Sequence, residues 1–200
     1  MVTPGEQTAA VDGRTARRDR NRTSVLNAIL DLIDEGNPLP TVAEISERSG
    51  TSHRSLFRYF DDLDSLFAEA VLVAYTRCAP LSRIHRFGVG SLDERIDNIV
   101  AQRLALYAAM APLVSSARQR KGALEPMEVA MAQYMGPMRD QLMVHFGPEF
   151  ASVGEDHVSA LLDALEALLS IDAYEFLRRN QRDDAAIAAA FRAGIERLLA

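Results

Sequence analysis

The chain has 200 residues, of which 48% are hydrophobic and 25% are charged, and its formal net charge is -6. This length supports one large core or a small domain beside a larger one, and the single cysteine, Cys78, excludes an internal disulfide framework. Because no apolar run reaches about 18 residues and the N-terminus has no apolar signal segment, we expect a soluble, cytoplasmic protein with no membrane partner.

The charge is unevenly distributed along the chain. Residues 1–60 carry 8 basic and 8 acidic side chains, whereas residues 61–200 carry 14 basic and 20 acidic ones. Five basic residues come before or at the start of the first clear helix: Arg14, Arg17, Arg18, Arg20 and Arg22. The sequence predicts a flexible basic arm over residues 1–19, which either follows nucleic-acid phosphates or remains a solvated tail.

Residues 41–67 have the pattern of two short helices joined by a tight turn. Thr41 and Glu44 have the spacing of a capping box, which starts the first helix. Gly50 lies at the turn, where a positive φ is tolerated, and Ser52 is expected to cap the second helix. The outer side of that helix offers hydrogen-bond donors: His53, Arg54, Ser55, Arg58 and Tyr59. This combination is typical of a helix-turn-helix DNA reader.

The surrounding sequence extends this pattern over residues 20–75. The apolar helix VLNAILDLIDEG is followed by TVAEISERSG and then by SLFRYFDDLDSLFAEA. In this order and spacing, the segment resembles the DNA-binding domain of the tetracycline-repressor (TetR) family of bacterial transcriptional regulators. The sequence departs from the usual family pattern at Ser46, Ser49 and Thr51, where apolar residues are common. It also departs at Leu63, where a phosphate-binding lysine is common.

The resemblance implies an all-α protein with two functional parts. A three-helix helix-turn-helix DNA-binding domain is expected over residues 20–67, and a larger helical domain for effector binding and dimerisation over residues 68–200. The partners implied are a double-stranded, pseudo-palindromic DNA operator and a second copy of the chain. The DNA contacts expected from the resemblance and from the helix pattern are Arg22, Thr41, Ser52, His53, Arg54, Ser55, Arg58 and Tyr59.

Beyond Phe67 the sequence predicts helices with Pro and Gly punctuation and no competing strand pattern. Pro112 is expected to bend or break the second of these helices, and Gly136–Pro137 to kink the third. The predicted helices cover residues 63–79, 92–110 with a continuation to 120, 124–146, 155–181 and 184–199.

Methionine is concentrated in the middle of the chain, where six of the seven methionines occur. Flexible thioether side chains either fill irregular gaps in a core or line a cavity for apolar molecules. In TetR-like proteins this region holds the effector pocket, so the resemblance favours a pocket for a small apolar effector. The candidate lining residues are Leu104, Tyr107, Met110, Met127, Met131, Tyr134, Met135 and Met138, with Tyr107 and Tyr134 as polar groups in an apolar wall.

The last two predicted helices carry more apolar residues than one helix face can bury. Either they close the core of the monomer, or they form a two-fold four-helix interface, which is the dimer interface of the TetR family. The dimer interpretation predicts an interface made by Leu165, Leu169, Phe176, Ile187, Phe191, Ile195 and Leu198.

Sequence signs of catalysis are lacking. The four histidines are scattered, and the sequence has no HxxxH, no GxSxG and no phosphate-binding glycine loop. We therefore expect no enzyme activity, no metal and no cofactor. The sequence favours a homodimeric DNA-binding regulator, a repressor released by a small apolar effector. The alternative is a helical small-molecule-binding protein or an enzyme without DNA recognition.

Overall fold

The computed structural model describes residues 4–120, 125, 129 and 137–200, with the backbone alone at residues 4–14 and 156. All regular elements in this part of the chain are helical, which confirms the all-α class. They are α1 (Pro4–Asp34), α2 (Val42–Ser49), α3 (His53–Tyr59), α4 (Leu63–Cys78), a 3₁₀ turn (Ala79–Ser82), α5 (Leu92–Gln119), α6 (residues 137–145), α7 (Gly147–Phe150), α8 (Glu155–Leu168), α9 (Ile171–Arg179) and α10 (Asp184–Leu199).

The chain divides into two compact units. The first unit comprises Met1–Ala74 and Pro112–Met127, and the second comprises Tyr75–Ala111 and Glu128–Ala200. The first unit thus contains most of α4 and the C-terminal part of α5 in addition to α1, α2 and α3.

The core of the first unit holds α2 and α3 against α1. Its fully buried side chains include Val25 and Ile29 of α1, Ile45 of α2, Leu56 of α3 and Phe67 of α4. Because α1 begins at Pro4, the segment before residue 20 is helical in backbone, where the sequence predicted a flexible arm.

Local capping fixes the helix-turn-helix in the way the sequence predicted. The Glu44 backbone N–H donates to Thr41 Oγ1 (3.3 Å), and the Thr41 backbone N–H donates to the Glu44 carboxylate (2.7 Å). Gly50 ends α2 with a φ of 66°, a left-handed conformation that glycine adopts without strain. Ser52 then caps α3 by accepting from the Ser55 backbone N–H (3.3 Å). These caps set the direction in which α3 leaves the turn.

In the second unit, α8 packs against α10. A Cβ placed on Gly194 would lie 2.6 Å from Leu168 Cδ2, so the missing side chain allows the two helices to approach closely. The buried side chains of this pair include Leu162, Leu165, Ile187, Phe191 and Ile195. They form the core of this part of a single chain.

The helix predicted near the C-terminus is interrupted in the structure, whereas the helix that contains Pro112 is not. The segment predicted as one helix over residues 155–181 is two helices, because Ser170 caps α9 by accepting from the Ala173 backbone N–H at 3.1 Å. Conversely, α5 continues through Pro112, where a bend or a break was expected, so no break occurs; one proline removes a single amide donor from a helix of 28 residues. The kink expected at Gly136–Pro137 lies outside the described residues.

Among the described helices, α5 is long and apolar enough to cross a membrane by length and composition alone. However, 56% of its most apolar window is buried inside the protein. Burial of this kind is typical of the central helix of a soluble protein.

Candidate nucleic-acid interface and ligand cavity

One face of α3 carries exposed side chains that can bind nucleic acid. His53, Arg54, Phe57 and Arg58 are all exposed, whereas Leu56 is fully buried. The four exposed residues share one face because residues three and four apart are neighbours on a helix. The face presents two guanidinium groups, an imidazole and an aromatic ring, which suit phosphates, base edges and thymine methyl groups.

Phe57 was not among the contacts that the sequence predicted. Its ring is 49% exposed. An aromatic residue in the run LFRYF is ordinarily assigned to a core, so the residue type of Phe57 gave no sign of exposure. Its spacing, four residues after His53 and three after Arg54, was the signal that places it on the outer face.

Tyr59 connects α3 to α1. Its hydroxyl accepts hydrogen bonds from Asn21 Nδ2 (3.2 Å) and from Arg58 Nη2 (3.1 Å), and the Arg58 guanidinium lies 5.2 Å from the ring centre. These two hydrogen bonds lower the pKa of Tyr59, and the bond from Asn21 has the larger effect. Because both neighbours donate, the hydroxyl proton of Tyr59 stays available for a phosphate oxygen.

Arg22, a predicted phosphate contact, is engaged within the first unit. Its Nη2 lies 2.5 Å from the Glu69 carboxylate, and its guanidinium lies 5.3 Å from the ring centre of Phe60. Both side chains of the ion pair are partly exposed. A phosphate therefore has to compete with Glu69 for this guanidinium.

The hydroxyl groups of three other predicted contacts form local hydrogen bonds near the helix caps. Thr41 Oγ1 donates to the Glu44 carboxylate (2.7 Å), and Ser52 Oγ donates to Ser55 Oγ (3.1 Å). In the upstream basic cluster, Arg17, Arg18 and Arg20 are exposed on α1, and the side chain of Arg14 lies outside the described part. Among the described residues of the first unit, exposed basic groups thus lie on α3 and α1, and Arg48 on α2 and Arg118 on α5 are also exposed.

The second unit contains a cavity of about 110 Å³. Of the predicted effector contacts, Tyr107, Met110 and Met138 line it. Leu104 is half-buried and is not part of the lining. The other four predicted contacts lie outside the described residues: Met127, Met131, Tyr134 and Met135.

The cavity wall is more polar than the sequence predicted. Arg103, Gln141, Glu166 and Asp172 line it together with apolar side chains. Arg103 is 1% exposed, and burial lowers its pKa. The sequence offered a signal for Arg103, because it falls in the same helical stripe as the buried residues Ile99, Leu106 and Met110. A charged residue in such a stripe points inward.

Tyr107 has a buried hydroxyl on the same wall. The hydroxyl donates a hydrogen bond to the backbone carbonyl of Leu169. Burial raises the pKa of Tyr107 to about 12, so the hydroxyl stays protonated in the physiological range. Since its one proton is engaged, Tyr107 can only accept a further hydrogen bond from a ligand.

Most of the predicted dimer-interface residues are buried within a single chain. Leu165, Leu169, Ile187, Phe191 and Ile195 are each at most 2% exposed within a single chain, in the part of the second unit where α8 packs against α10. Within one chain they belong to the core. Of the remaining two predicted residues, Phe176 is 59% exposed and Leu198 is half-buried.

Two solved structures share this architecture. A transcriptional regulator from Rhodococcus sp. Rha1 aligns with a TM-score of 0.63 over 91% of this chain and 95% of its own, at 16% sequence identity. A TetR family transcription regulator from Marinobacter aquaeolei VT8 aligns with a TM-score of 0.52 over 91% of this chain and 97% of its own, also at 16% identity. The fold is that of a TetR-type regulator. This likeness confirms the fold that the sequence resemblance implied. No protein-family model and no curated protein matches the chain.

Proposed function

We propose that the protein is a sequence-specific DNA-binding transcriptional regulator. The observation that carries the proposal is the outer face of α3, where exposed Arg54, Arg58, His53 and Phe57 lie on a helix fixed by its caps and by buried Leu56. The TetR-type fold supports this interpretation, because the two similar structures are transcription regulators. Enzyme activity and a bound cofactor are no part of the proposal.

In the proposed complex, α3 enters the major groove of double-stranded DNA. Arg54 and Arg58 contact base edges, where a guanidinium pairs best with guanine, and Tyr59 and His53 donate to phosphate oxygens. The exposed Arg17, Arg18 and Arg20 add positive charge that attracts the phosphate backbone. A protein with this role works in the cytoplasm, where bacterial DNA is located.

We propose a homodimer as the state that reads the operator, which is a pseudo-palindrome because the dimer has two-fold symmetry. After the core residues are set aside, the last three helices still hold apolar side chains that are only partly covered: Leu161, Leu168, Phe176 and Leu198. Burying them between two copies removes apolar surface from water, which favours association. The interface therefore uses these outer residues in place of the buried ones.

We further propose that a small effector in the cavity releases the protein from its operator, so that the protein acts as a repressor. Release requires the effector to bind the conformation without DNA more tightly than the conformation on DNA, since equal affinity shifts no equilibrium. The lining by Leu106, Met110 and Leu142 supports a ligand with a mainly apolar body.

Selection of binding sites from a random DNA library tests the central proposal. We expect the full-length protein to enrich a pseudo-palindrome whose half-sites are centred about one helical turn, or a multiple of it, apart. Enrichment of no sequence at moderate salt would contradict the proposal and favour a small-molecule-binding protein without DNA recognition. A single, unrepeated half-site would contradict the dimeric part alone.

A further inference from the structure

A buried guanidinium in the cavity wall of the second unit has no ionic partner among the described residues. Arg103 is 1% exposed and lines the cavity. Its Nη1 donates to the neutral amide oxygen of Gln102 (2.5 Å), and Gln102 Nε2 donates in turn to the Leu81 carbonyl (2.7 Å). Within the described part of the chain, Arg103 Nε has no hydrogen-bond partner. The guanidinium stays protonated, so its charge is oriented but not neutralised.

Neither carboxylate on the cavity wall pairs with Arg103. Glu166 forms its ion pair with Arg139, and Asp172 lies in the first turn of α9, where the free amides of a helix N-terminus stabilise a carboxylate. No ion pair joins Arg103 to either of them among the described residues. A buried charge without a partner destabilises the protein, and an anion with two acceptor oxygens at that position removes the penalty.

The same wall also has an unused acceptor. Gln141 Nε2 donates to the Ser82 carbonyl (3.1 Å), which fixes the orientation of the amide. Gln141 Oε1 then remains buried without a donor from any described residue. With respect to the described residues, Arg103 Nε and Gln141 Oε1 are thus a charged donor and an acceptor without partners, both on a wall that also carries apolar side chains.

We propose that the ligand of this cavity is a small organic acid whose carboxylate binds Arg103. Its body is apolar and contacts Leu106, Met110 and Leu142, and it carries a hydroxyl or N–H group that donates to Gln141. The volume of about 110 Å³ limits the enclosed body of the ligand to a single ring, since even a larger apolar cavity of about 150 Å³ accommodates only a molecule such as benzene. Naming this ligand as the effector rests on the proposed function, whereas its binding can be measured without DNA.

Titration calorimetry with four one-ring probes tests the inference on the full-length protein. The probes are 3-hydroxybenzoate, benzoate, 3-hydroxybenzamide and phenol. We expect 3-hydroxybenzoate to bind at least about tenfold more tightly than 3-hydroxybenzamide, because only the carboxylate forms charge-assisted bonds with Arg103. We expect benzoate to bind more weakly than 3-hydroxybenzoate, because it has no donor for Gln141.

Two variants separate a ligand-binding role of Arg103 from a structural one. Arg103→Met should bind 3-hydroxybenzoate and 3-hydroxybenzamide equally, and without ligand it should melt at the same or a higher temperature, because an unpaired buried charge is removed. Arg178→Met is the matched control, since Arg178 is exposed and lies outside the cavity wall. The control should keep the full preference for the carboxylate.

Three results would overturn the inference. They are equal binding of the acid and its amide by the wild type, an unchanged preference in Arg103→Met, and no binding of any of the four probes. The regulatory proposal fails separately: if 3-hydroxybenzoate binds as expected but leaves the affinity for DNA unchanged, the ligand class stands and the effector role is contradicted.

Discussion

The guanidinium of Arg22 in α1 lies 2.5 Å from the carboxylate of Glu69 in α4. The same guanidinium lies 5.3 Å from the ring centre of Phe60, directly after α3. Arg22 thus connects three segments of the first unit. The Glu69 carboxylate binds the guanidinium that the sequence resemblance implied for a phosphate contact. The charge of Arg22 is therefore partly neutralised before DNA binds.

Replacing Glu69 should strengthen DNA binding. In Glu69→Gln, Arg22 loses its competing carboxylate and can bind a phosphate, so the affinity for DNA of any sequence should rise several-fold at low salt. The plot of log affinity against log salt concentration should steepen by about one unit, as expected for one added phosphate contact. Fluorescence anisotropy over a salt series measures both quantities.

Glu155→Gln is the control for Glu69→Gln, because it removes the same charge from an exposed position in the second unit. It should leave the salt slope unchanged. The stability of Glu69→Gln should change by less than about 1 kcal/mol, since partly exposed ion pairs contribute little. Identical slopes in wild type and Glu69→Gln would show that Arg22 does not contact DNA.

Phe191 and Phe176 should respond in opposite ways to substitution. Phe191 is 1% exposed and Phe176 is 59% exposed. Phe191→Ala should lower the free energy of unfolding by about 3–5 kcal/mol, because it leaves a cavity between α8 and α10. Phe176→Ala should change the stability of the monomer by roughly 0.5 kcal/mol or less. Urea unfolding at low protein concentration compares the two variants.

Dimerisation of a Phe176 variant provides the complementary measurement. Phe176→Asp should fold normally but dissociate in light scattering, because it places a charge in the proposed interface twice, once from each copy. If Phe176→Asp remains fully dimeric, the interface lies elsewhere. A Phe191→Ala variant with unchanged stability would contradict its place in the core.

The stability of the second unit should depend on pH through His145. This side chain is fully buried, accepts from the Gly88 backbone N–H at Nδ1 (2.9 Å) and bonds the Arg95 carbonyl through Nε2 (2.8 Å). With Nδ1 as acceptor, the ring is neutral and Nε2 carries the proton. Desolvation by burial lowers the pKa of His145, and the nearby Arg95 charge acts in the same direction.

A lowered pKa in the folded state means that the unfolded chain binds a proton first as the pH falls. The stabilisation by neutral His145 is therefore complete above about pH 6.5 and is lost as the pH falls from there through the folded-state pKa. The urea midpoint of the wild type should fall between about pH 7.5 and about pH 5.5. Glu149, whose pKa is lowered by its bond from Arg95, stays ionised across this range.

His145→Gln should have a smaller pH dependence, because an amide can both donate and accept here without titrating. His157→Gln, at an exposed position, should keep the wild-type dependence. An equal pH dependence of the urea midpoint in wild type and His145→Gln would show that other titrating groups cause it.

Features that depend on local spacing could be predicted from the sequence. Thr41, Glu44 and Gly50 define their caps within a few residues, and the structure confirms them. Features that depend on distant packing could not. The stripe containing Phe191 looks the same whether it packs on its own chain or on a second copy, and Ser170 inside an apolar run gives no sign of ending a helix. Arg103 was missed because a charged residue is ordinarily assigned to the solvent-exposed face of its helix.

The central claim is that exposed residues on α3 read a DNA sequence. Fluorescence anisotropy of the wild type and Arg54→Ala, on the selected palindrome and on a shuffled duplex at several salt concentrations, tests it most directly. We expect the wild type to prefer the palindrome by about 10³-fold or more, and Arg54→Ala to lose about 1–3 kcal/mol on the palindrome with little change on the shuffled duplex. Equal affinity of the wild type for both duplexes at every salt concentration would contradict the account.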